Sequence, residues 1–261
     1  MKSQISNLKS RLTLCALLLA LCALPASAAI TRTAKGTAQN KGVSSLTLTG
    51  VSISAGTSIV VGITSDGGTN AAAGDVVWNG HNLSPDRYVE ATGTAAFTEI
   101  WSLHNCPAET GSVVVNQGTT GAIAFFVTQL DFGAGVTGQF DKDAIAKGSG
   151  TSPSSGATAT TTAADEILIG AVGTNGPNGD TAGTWSNSFN AGQRLGSTGG
   201  SGTTNETVSE GYLVVASTGT YTAAKTGITS RTWQAAIATY KASSGAPAAT
   251  PKNMTLTGVG L

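Results

Sequence analysis

The 261-residue sequence is poor in charged and aromatic side chains. Only 11% of its residues are charged and 5% are aromatic, and its 14 Lys and Arg balance its 14 Asp and Glu. So few cations cannot neutralise a run of phosphates, which argues against a nucleic-acid-binding protein. The two histidines and three cysteines form no cluster with the short spacing of zinc ligands.

Small residues dominate instead: the chain has 35 Gly, 39 Thr and 26 Ser. These residues rank below the straight-chain helix formers, and no window shows a sustained apolar stripe of helical period. The 40% hydrophobic content argues against disorder throughout. The composition therefore predicts an all-β protein.

The N-terminus has the three parts of a secretory signal peptide. Lys2, Lys9 and Arg11 precede an apolar run at 12–24, and Ala26-Ser27-Ala28 matches a cleavage site. The run is shorter than the roughly 20 residues of a membrane-spanning helix, so a retained anchor is the weaker alternative. We expect residues 1–28 to be removed, which leaves a secreted chain without a membrane span.

Cleavage would leave Cys106 as the single cysteine. An internal disulfide is then excluded, although the expected compartment would allow one. We predict a partly buried loop residue; an intermolecular disulfide or a reactive thiol are the functional alternatives.

Short β-prone runs alternate with Gly-rich turns along the chain. Asn79-Gly80 is a strong tight-turn signal. The pattern predicts an antiparallel β-sandwich with eight to eleven strands. The runs lie at 45–51, 58–64, 75–78, 96–103, 112–115, 122–132, 166–174, 208–216, 221–224 and 232–241.

The two halves of the chain resemble each other. Ile59-Val60-Val61-Gly62 matches Ile167-Leu168-Ile169-Gly170 at an offset of 108, and Trp78 precedes Trp185 by 107. We therefore expect one sandwich domain at 29–241 with pseudo-repeats at 43–146 and 151–241, each contributing strands to both sheets. Two small sandwiches are the alternative. The break falls in a Gly/Ser/Thr/Pro stretch at 147–162.

Several segments resemble a module of secreted bacterial surface proteins that mostly have no assigned activity. They are Trp78-Asn-Gly, Glu99-Ile-Trp-Ser-Leu, Ala122-Ile-Ala-Phe-Phe, Ala164-Asp-Glu-Ile-Leu-Ile-Gly and Trp233-Gln-Ala-Ala-Ile-Ala. The resemblance covers roughly residues 43–241 and departs at Cys106. It implies a jelly-roll-like sandwich, surface exposure and a role in binding or assembly, and it supplies no catalytic residues.

Two carboxylate–aromatic pairs are candidate ligand-binding residues. Glu99 and Trp101 alternate on one face of a predicted strand, as do Glu210 and Tyr212 in the second half. A ring can pack on a sugar while a carboxylate accepts its hydroxyl hydrogen bonds, and two carboxylates can also serve a glycosidase. The structural alternative places the glutamates in solvent at a strand edge and the rings in the core.

Direct evidence for other chemistry is weak. The sequence lacks a G-x-S-x-G elbow and an H-E-x-x-H motif, although a Ser-His-Asp triad need not be local in sequence. Asp141-x-Asp143 and the Asn175–Asp180 turn offer clustered oxygens that suit calcium, or simply turn-forming Asx residues. We expect no cofactor and no catalytic activity.

The C-terminus repeats an early segment. Residues 242–253 form an Ala/Ser/Gly/Pro linker, and Thr255-Leu256-Thr257-Gly258-Val259 then copies Thr47-Leu48-Thr49-Gly50-Val51. The tail at 254–261 begins a further module, is a frayed end, or adds as a strand to a neighbouring molecule. In the last case Thr255, Leu256, Val259 and Leu261 make the assembly contact.

These observations together predict a secreted protein with a structural, adhesive or filament-forming role. Its partners would be other copies of itself or a surface polysaccharide. The alternatives are a carbohydrate-binding module and a secreted glycoside hydrolase.

Overall fold

A computed structural model describes residues 29–67, 74–87, 97–199 and 204–243. These residues form fourteen strands and no α-helix, which confirms the all-β antiparallel prediction. Accordingly, the described part has no helix of the length and hydrophobicity that a membrane span needs. The strands are β1 (Thr31–Ile53), β2 (Ser58–Ser65), β3 (Val76–Trp78), β4 (His81–Asn82), β5 (Ser84–Arg87), β6 (Phe97–Leu103), β7 (Glu109–Asp131), β8 (Gly138–Gly150), β9 (Asp165–Asn175), β10 (Ala182–Trp185), β11 (Asn190–Gly196), β12 (Glu206–Ala216), β13 (Lys225–Ile228) and β14 (Arg231–Ala242).

The first seven strands form the N-terminal sheet, in the order β4-β3-β7-β2-β6-β5 with β1 also paired to β7. Strands β1 and β7 have 23 residues each and pair along their length through several register shifts. Gly42 and Gly50 lie at such shifts with positive φ, a conformation that favours glycine. The bulges bend this long antiparallel strand pair back over its own sheet.

The folded-back β1–β7 pair encloses an N-terminal core. One face of β2 packs with Trp78, Trp101, Val113 and Val115, all of them buried. Cys106 closes this core from the loop after β6, where its thiol donates a 3.4 Å hydrogen bond to the Leu103 carbonyl. Burial raises the pKa of the Cys106 thiol to about 11. The prediction of a buried loop cysteine is confirmed.

The C-terminal sheet has the order β11-β12-β9-β14-β8. It packs on the other face of the N-terminal sheet through an interface core that joins Val60, Ile100 and Phe126 to Ile167 and Ile169. This packing makes the molecule a sandwich. The expectation that each half contributes strands to both sheets is wrong, because all strands of one sheet lie within residues 31–131 and all five strands of the other lie within residues 138–242.

The 151–162 segment covers the outer face of the C-terminal sheet together with β10 and β13. Backbone N–H groups of Ser155, Thr158 and Thr161 donate to the carbonyls of 223, 221 and 219. Their hydroxyls accept hydrogen bonds from the backbone N–H groups of the same three residues. The predicted break at 147–162 is therefore part of the folded structure. Its first residues belong to β8, which extends to Gly150. Its later residues are held by the Ser and Thr side chains at every third position.

The two sheets repeat one strand order. Across the N-terminal sheet five strands follow the order β5-β6-β2-β7-β1. They correspond, strand for strand, to the order β11-β12-β9-β14-β8 of the C-terminal sheet. Gly62 lies opposite Ile100 and Phe126, and Gly170 lies opposite Gly211 and Ile237. This common topology supports an internal duplication, whose boundaries stay a prediction.

Both ends of the described domain lie at one end of the sandwich, here called the terminal end. Thr31 pairs with Asp131, and Ala242 pairs with Gly138, which follows Asp131 after a six-residue connection. The Ser243 N–H donates a 2.7 Å hydrogen bond to the Thr137 carbonyl. The predicted signal peptide at 1–28, the linker beyond 243 and the tail at 254–261 lie outside the described residues.

Candidate functional site

The predicted pair Glu99 and Trp101 lies inside the N-terminal core. Both residues are buried, and the Trp101 Nε1–H donates a 2.8 Å hydrogen bond to Glu99 Oε2. A ring without exposed area offers no face to a sugar in this conformation. The contact follows from strand alternation, since residues two apart share a face of β6.

The second pair, Glu210 and Tyr212, lies where β12 meets β1 of the other sheet. Arg32 Nε donates a 3.0 Å hydrogen bond to Glu210 Oε1, and a second Arg32 nitrogen donates to Oε2. The Gln193 N–H donates a 3.0 Å hydrogen bond to the same Oε2. The Arg32 guanidinium carbon lies 5.0 Å from the centre of the Tyr212 ring. This bidentate pair is nearly enclosed, with the side chain of Arg32 12% exposed and that of Glu210 fully covered, so it joins the two sheets.

Further polar contacts join the sheets around the interface core. Arg87 of β5 bridges Asp143 of β8 at 3.0 Å. Gln193 donates a 2.8 Å hydrogen bond to the Val127 carbonyl, and Thr98 donates 3.1 Å to the Gln234 carbonyl. Two of the ion pairs of this weakly charged chain thus link its two halves.

The oxygen clusters predicted for calcium have protein partners. Asp143 binds Arg87, while Asp141 accepts a 2.7 Å hydrogen bond from Lys241 Nζ. In the Asn175–Asp180 turn, Asp180 holds the Arg231 guanidinium at 2.6 and 3.0 Å. Across the described residues no group of three or more His, Cys, Asp or Glu side chains is arranged to hold a metal.

A polar network at the terminal end of the interface was not predicted from the sequence. Ser58 Oγ lies 2.8 Å from His104 Nδ1, and Ser102 Oγ lies 3.1 Å from His104 Nε2. Ser102 also faces the carboxyl group of Asp86, which accepts a 2.6 Å hydrogen bond from the Tyr240 hydroxyl. The network joins β2, β5 and β6 of one sheet to β14 of the other, so sequence spacing gives no signal for it.

Burial shifts the two titratable ends of this network in opposite directions. It raises the pKa of Asp86 to about 7, despite hydrogen bonds from Tyr240 and Ser102. It lowers the pKa of His104 to about 4, so the imidazole is neutral at neutral pH. A neutral imidazole has one N–H, so one of the two serines donates to the ring and the other accepts.

The network lacks the connectivity of a catalytic triad. In a triad the imidazole bridges one serine and one carboxylate, whereas both nitrogens of His104 here face serines. Both Ser58 and Ser102 are buried. The arrangement therefore suits a structural proton-sharing network between the sheets.

An open groove of about 370 Å³ lies at the turn between β1 and β2, beside the start of β7. Its lining contains one carboxylate, Glu109. Asn79 donates a 2.6 Å hydrogen bond to this carboxylate, and His81 lies 3.3 Å from it. The groove therefore does not present the two carboxylates that glycoside hydrolysis uses.

Comparisons with protein-family models, with curated proteins and with solved structures found no match.

Proposed function

We propose that this protein is a secreted, non-catalytic β-sandwich that acts outside the cell as a structural or adhesive module. The observation that carries the proposal is the set of polar side chains that join the two sheets. Arg32–Glu210, Arg87–Asp143 and Tyr240–Asp86 each link one half of the chain to the other. Pairing of scarce charged side chains between the two sheets suits a rigid structural domain better than a reactive site.

The predicted acid residues support the same conclusion. Glu99 lies in the N-terminal core and Glu210 at the boundary between the sheets, and both are 1% exposed. A glycosidase needs two carboxylates flanking one accessible bond. These two glutamates lie in different surroundings, each bound to a neighbouring side chain.

The C-terminal tail is the proposed means of assembly. The segment that it copies, 47–51, belongs to β1, where Thr47 and Leu48 pair with Val114 and Val113 before a bulge at Thr49 and Gly50. The same five residues therefore form a strand in this protein. A tail with that sequence, following a linker at the terminal end, can pair with a strand edge of a neighbouring molecule.

Sedimentation of the exported chain tests this assembly. Mature protein should form oligomers at high concentration, and a chain ending at Ser243 should remain monomeric. Leu256→Asp should abolish assembly like the truncation, while Lys252→Ala in the linker should leave it intact. Equal assembly with and without the tail, or a monomeric mature chain, would remove this part of the proposal.

Turnover and export assays test the rest. Intact-mass measurement should show loss of residues 1–28 from exported protein, and a retained N-terminus would contradict secretion by this route. Robust hydrolysis of any polysaccharide by the mature chain would refute the non-catalytic assignment.

A further inference from the structure

A small cavity lies between the C-terminal sheet and the β10–β13 pair. Its volume is about 10 Å³, close to the minimum that holds one water-sized particle. Three cationic residues, Arg194, Lys225 and Arg231, line it together with one carboxylate, Asp180. The hydroxyl residues of the lining are Thr174, Thr181, Ser209 and Thr229.

The single carboxylate is already neutralised. Asp180 binds the Arg231 guanidinium through both oxygens, at 2.6 and 3.0 Å. Arg194 instead donates to the carbonyls of Asn178 and Asp180, at 2.8 and 3.1 Å. Carbonyl dipoles orient the guanidinium of Arg194, and the only carboxylate of the lining that attracts it, Asp180, is the one that already binds Arg231.

Lys225 is a cation of the lining that has no carboxylate partner among the described residues. It is only 3% exposed, and its Nζ lies 5.3 Å from the centre of the Trp185 ring. No described residue accepts a hydrogen bond from this Nζ or pairs with it in a salt bridge. Burial, followed by the nearby charge of Arg194, lowers the pKa of Lys225 to about 8, so the amine is still mostly protonated at neutral pH.

Two neighbouring cations beside a small cavity have few ways to be stabilised. Buried charges in proteins are generally paired, because an isolated charge loses its hydration without compensation. The ring face of Trp185 offers partial compensation to Lys225. The remaining positive field points into a space that holds one small particle and is bordered by hydroxyl donors.

We propose that this cavity is a halide site, filled by chloride between Lys225 and Arg194. The cationic lining selects an anion, and the volume admits a monatomic one while excluding a sugar acid. Bound chloride would pair Lys225 Nζ and accept hydrogen bonds from lining hydroxyls. The site would thus fix β13 and β10 on the outer face of the C-terminal sheet.

The test compares unfolding in sodium chloride with unfolding in sodium gluconate at equal ionic strength. General screening is the same in both salts, but gluconate is too large for the cavity. Chloride should stabilise the wild-type chain in a saturable way, lowering the unfolding equilibrium constant about elevenfold when its concentration is ten times the Kd. Bromide should replace chloride.

Variants locate the effect. Lys225→Met should abolish the difference between the two salts, while Lys147→Met, at an exposed position of β8, should retain it. Lys225→Gln serves if the methionine variant does not fold, and chloride NMR line broadening on wild-type protein gives an independent readout. Equal stability in both salts, or a chloride effect that survives loss of Lys225, would overturn the assignment.

Discussion

Asp86 and His104 belong to one hydrogen-bonded network, yet their effects on stability oppose each other as pH changes. The pKa of Asp86 rises from 3.8 to about 7 on folding. Stability from this group is full below pH 3.8 and is lost as pH rises to about 7, because the unfolded chain releases the proton first. The pKa of His104 falls from 6.5 to about 4, so its effect is the reverse: stability increases with pH over that window.

The two effects should nearly cancel between pH 4 and 6.5. Each group changes the free energy of unfolding by about 1.4 kcal/mol per pH unit within its window. Over its full window Asp86 therefore accounts for about 4 kcal/mol and His104 for about 3 kcal/mol. We therefore expect little net slope from this pair in wild-type protein over that interval.

Asp86→Asn should remove the contribution of Asp86 to the pH dependence of stability and leave that of His104. Asn retains an acceptor for the Tyr240 hydroxyl but does not titrate. The free energy of unfolding of the variant, relative to wild type, should increase by about 1.4 kcal/mol per pH unit from pH 4 to 7 and then level off. Urea unfolding at half-unit pH steps measures this difference, in which all other titrating groups cancel.

Two controls make the result decisive. Asp165→Asn changes a carboxylate at the exposed first position of β9 and should leave the pH profile of wild type unchanged. His104→Gln should show the opposite slope relative to wild type, losing stability as pH rises from 4 to 6.5. A difference between Asp86→Asn and wild type that does not vary with pH would refute the reasoning.

Three other changes test the packing. Arg32→Met should cost about 3–5 kcal/mol because it leaves the buried Glu210 carboxylate without its cation, and adding Glu210→Met should recover much of that loss in chemical denaturation. Gly173→Ala would place a Cβ 2.2 Å from two threonine hydroxyls of the N-terminal sheet and should lower the Tm strongly. Gly179→Ala is its control, because a Cβ there would enter open space. Equal Tm values for the two variants would contradict close packing of the sheets. Thr158→Val removes the acceptor of a buried backbone N–H and should cost about 1–3 kcal/mol; an unchanged urea midpoint would show that the hydroxyl contributes nothing.

The central strands could be predicted because both of their faces are buried. Strands β2 and β9 are continuous apolar runs, and each is covered by a core on either side. The edge strand β8 was missed, since a strand with one neighbour and a half-exposed surface carries the polar sequence GQFDKDAIAKGSG. The first part of β1 was missed for the same reason.

The site residues show a different limit. Alternation along a strand correctly placed Glu99 beside Trp101, but it cannot tell a solvent face from a core face when the long β1–β7 pair folds back over the sheet. The partner of Glu210 is 178 residues away, at Arg32. Contacts across the sandwich depend on how two sheets dock, and no local pattern encodes that docking.

The adjacent ends of the described domain determine how it responds to force. Tension between Thr31 and Ala242 acts at the residues with which they pair, Asp131 at the end of β7 and Gly138 at the start of β8. Such tension would load the hydrogen bonds of each strand pair one after another from the pulled end, instead of loading many bonds at once. A molecule held by these ends resists pulling weakly, whereas a load entering through the opposite loops would cross both cores. The architecture suits a domain that is attached at its terminal end and exposes the loops at its opposite end, rather than a link that carries tension from end to end.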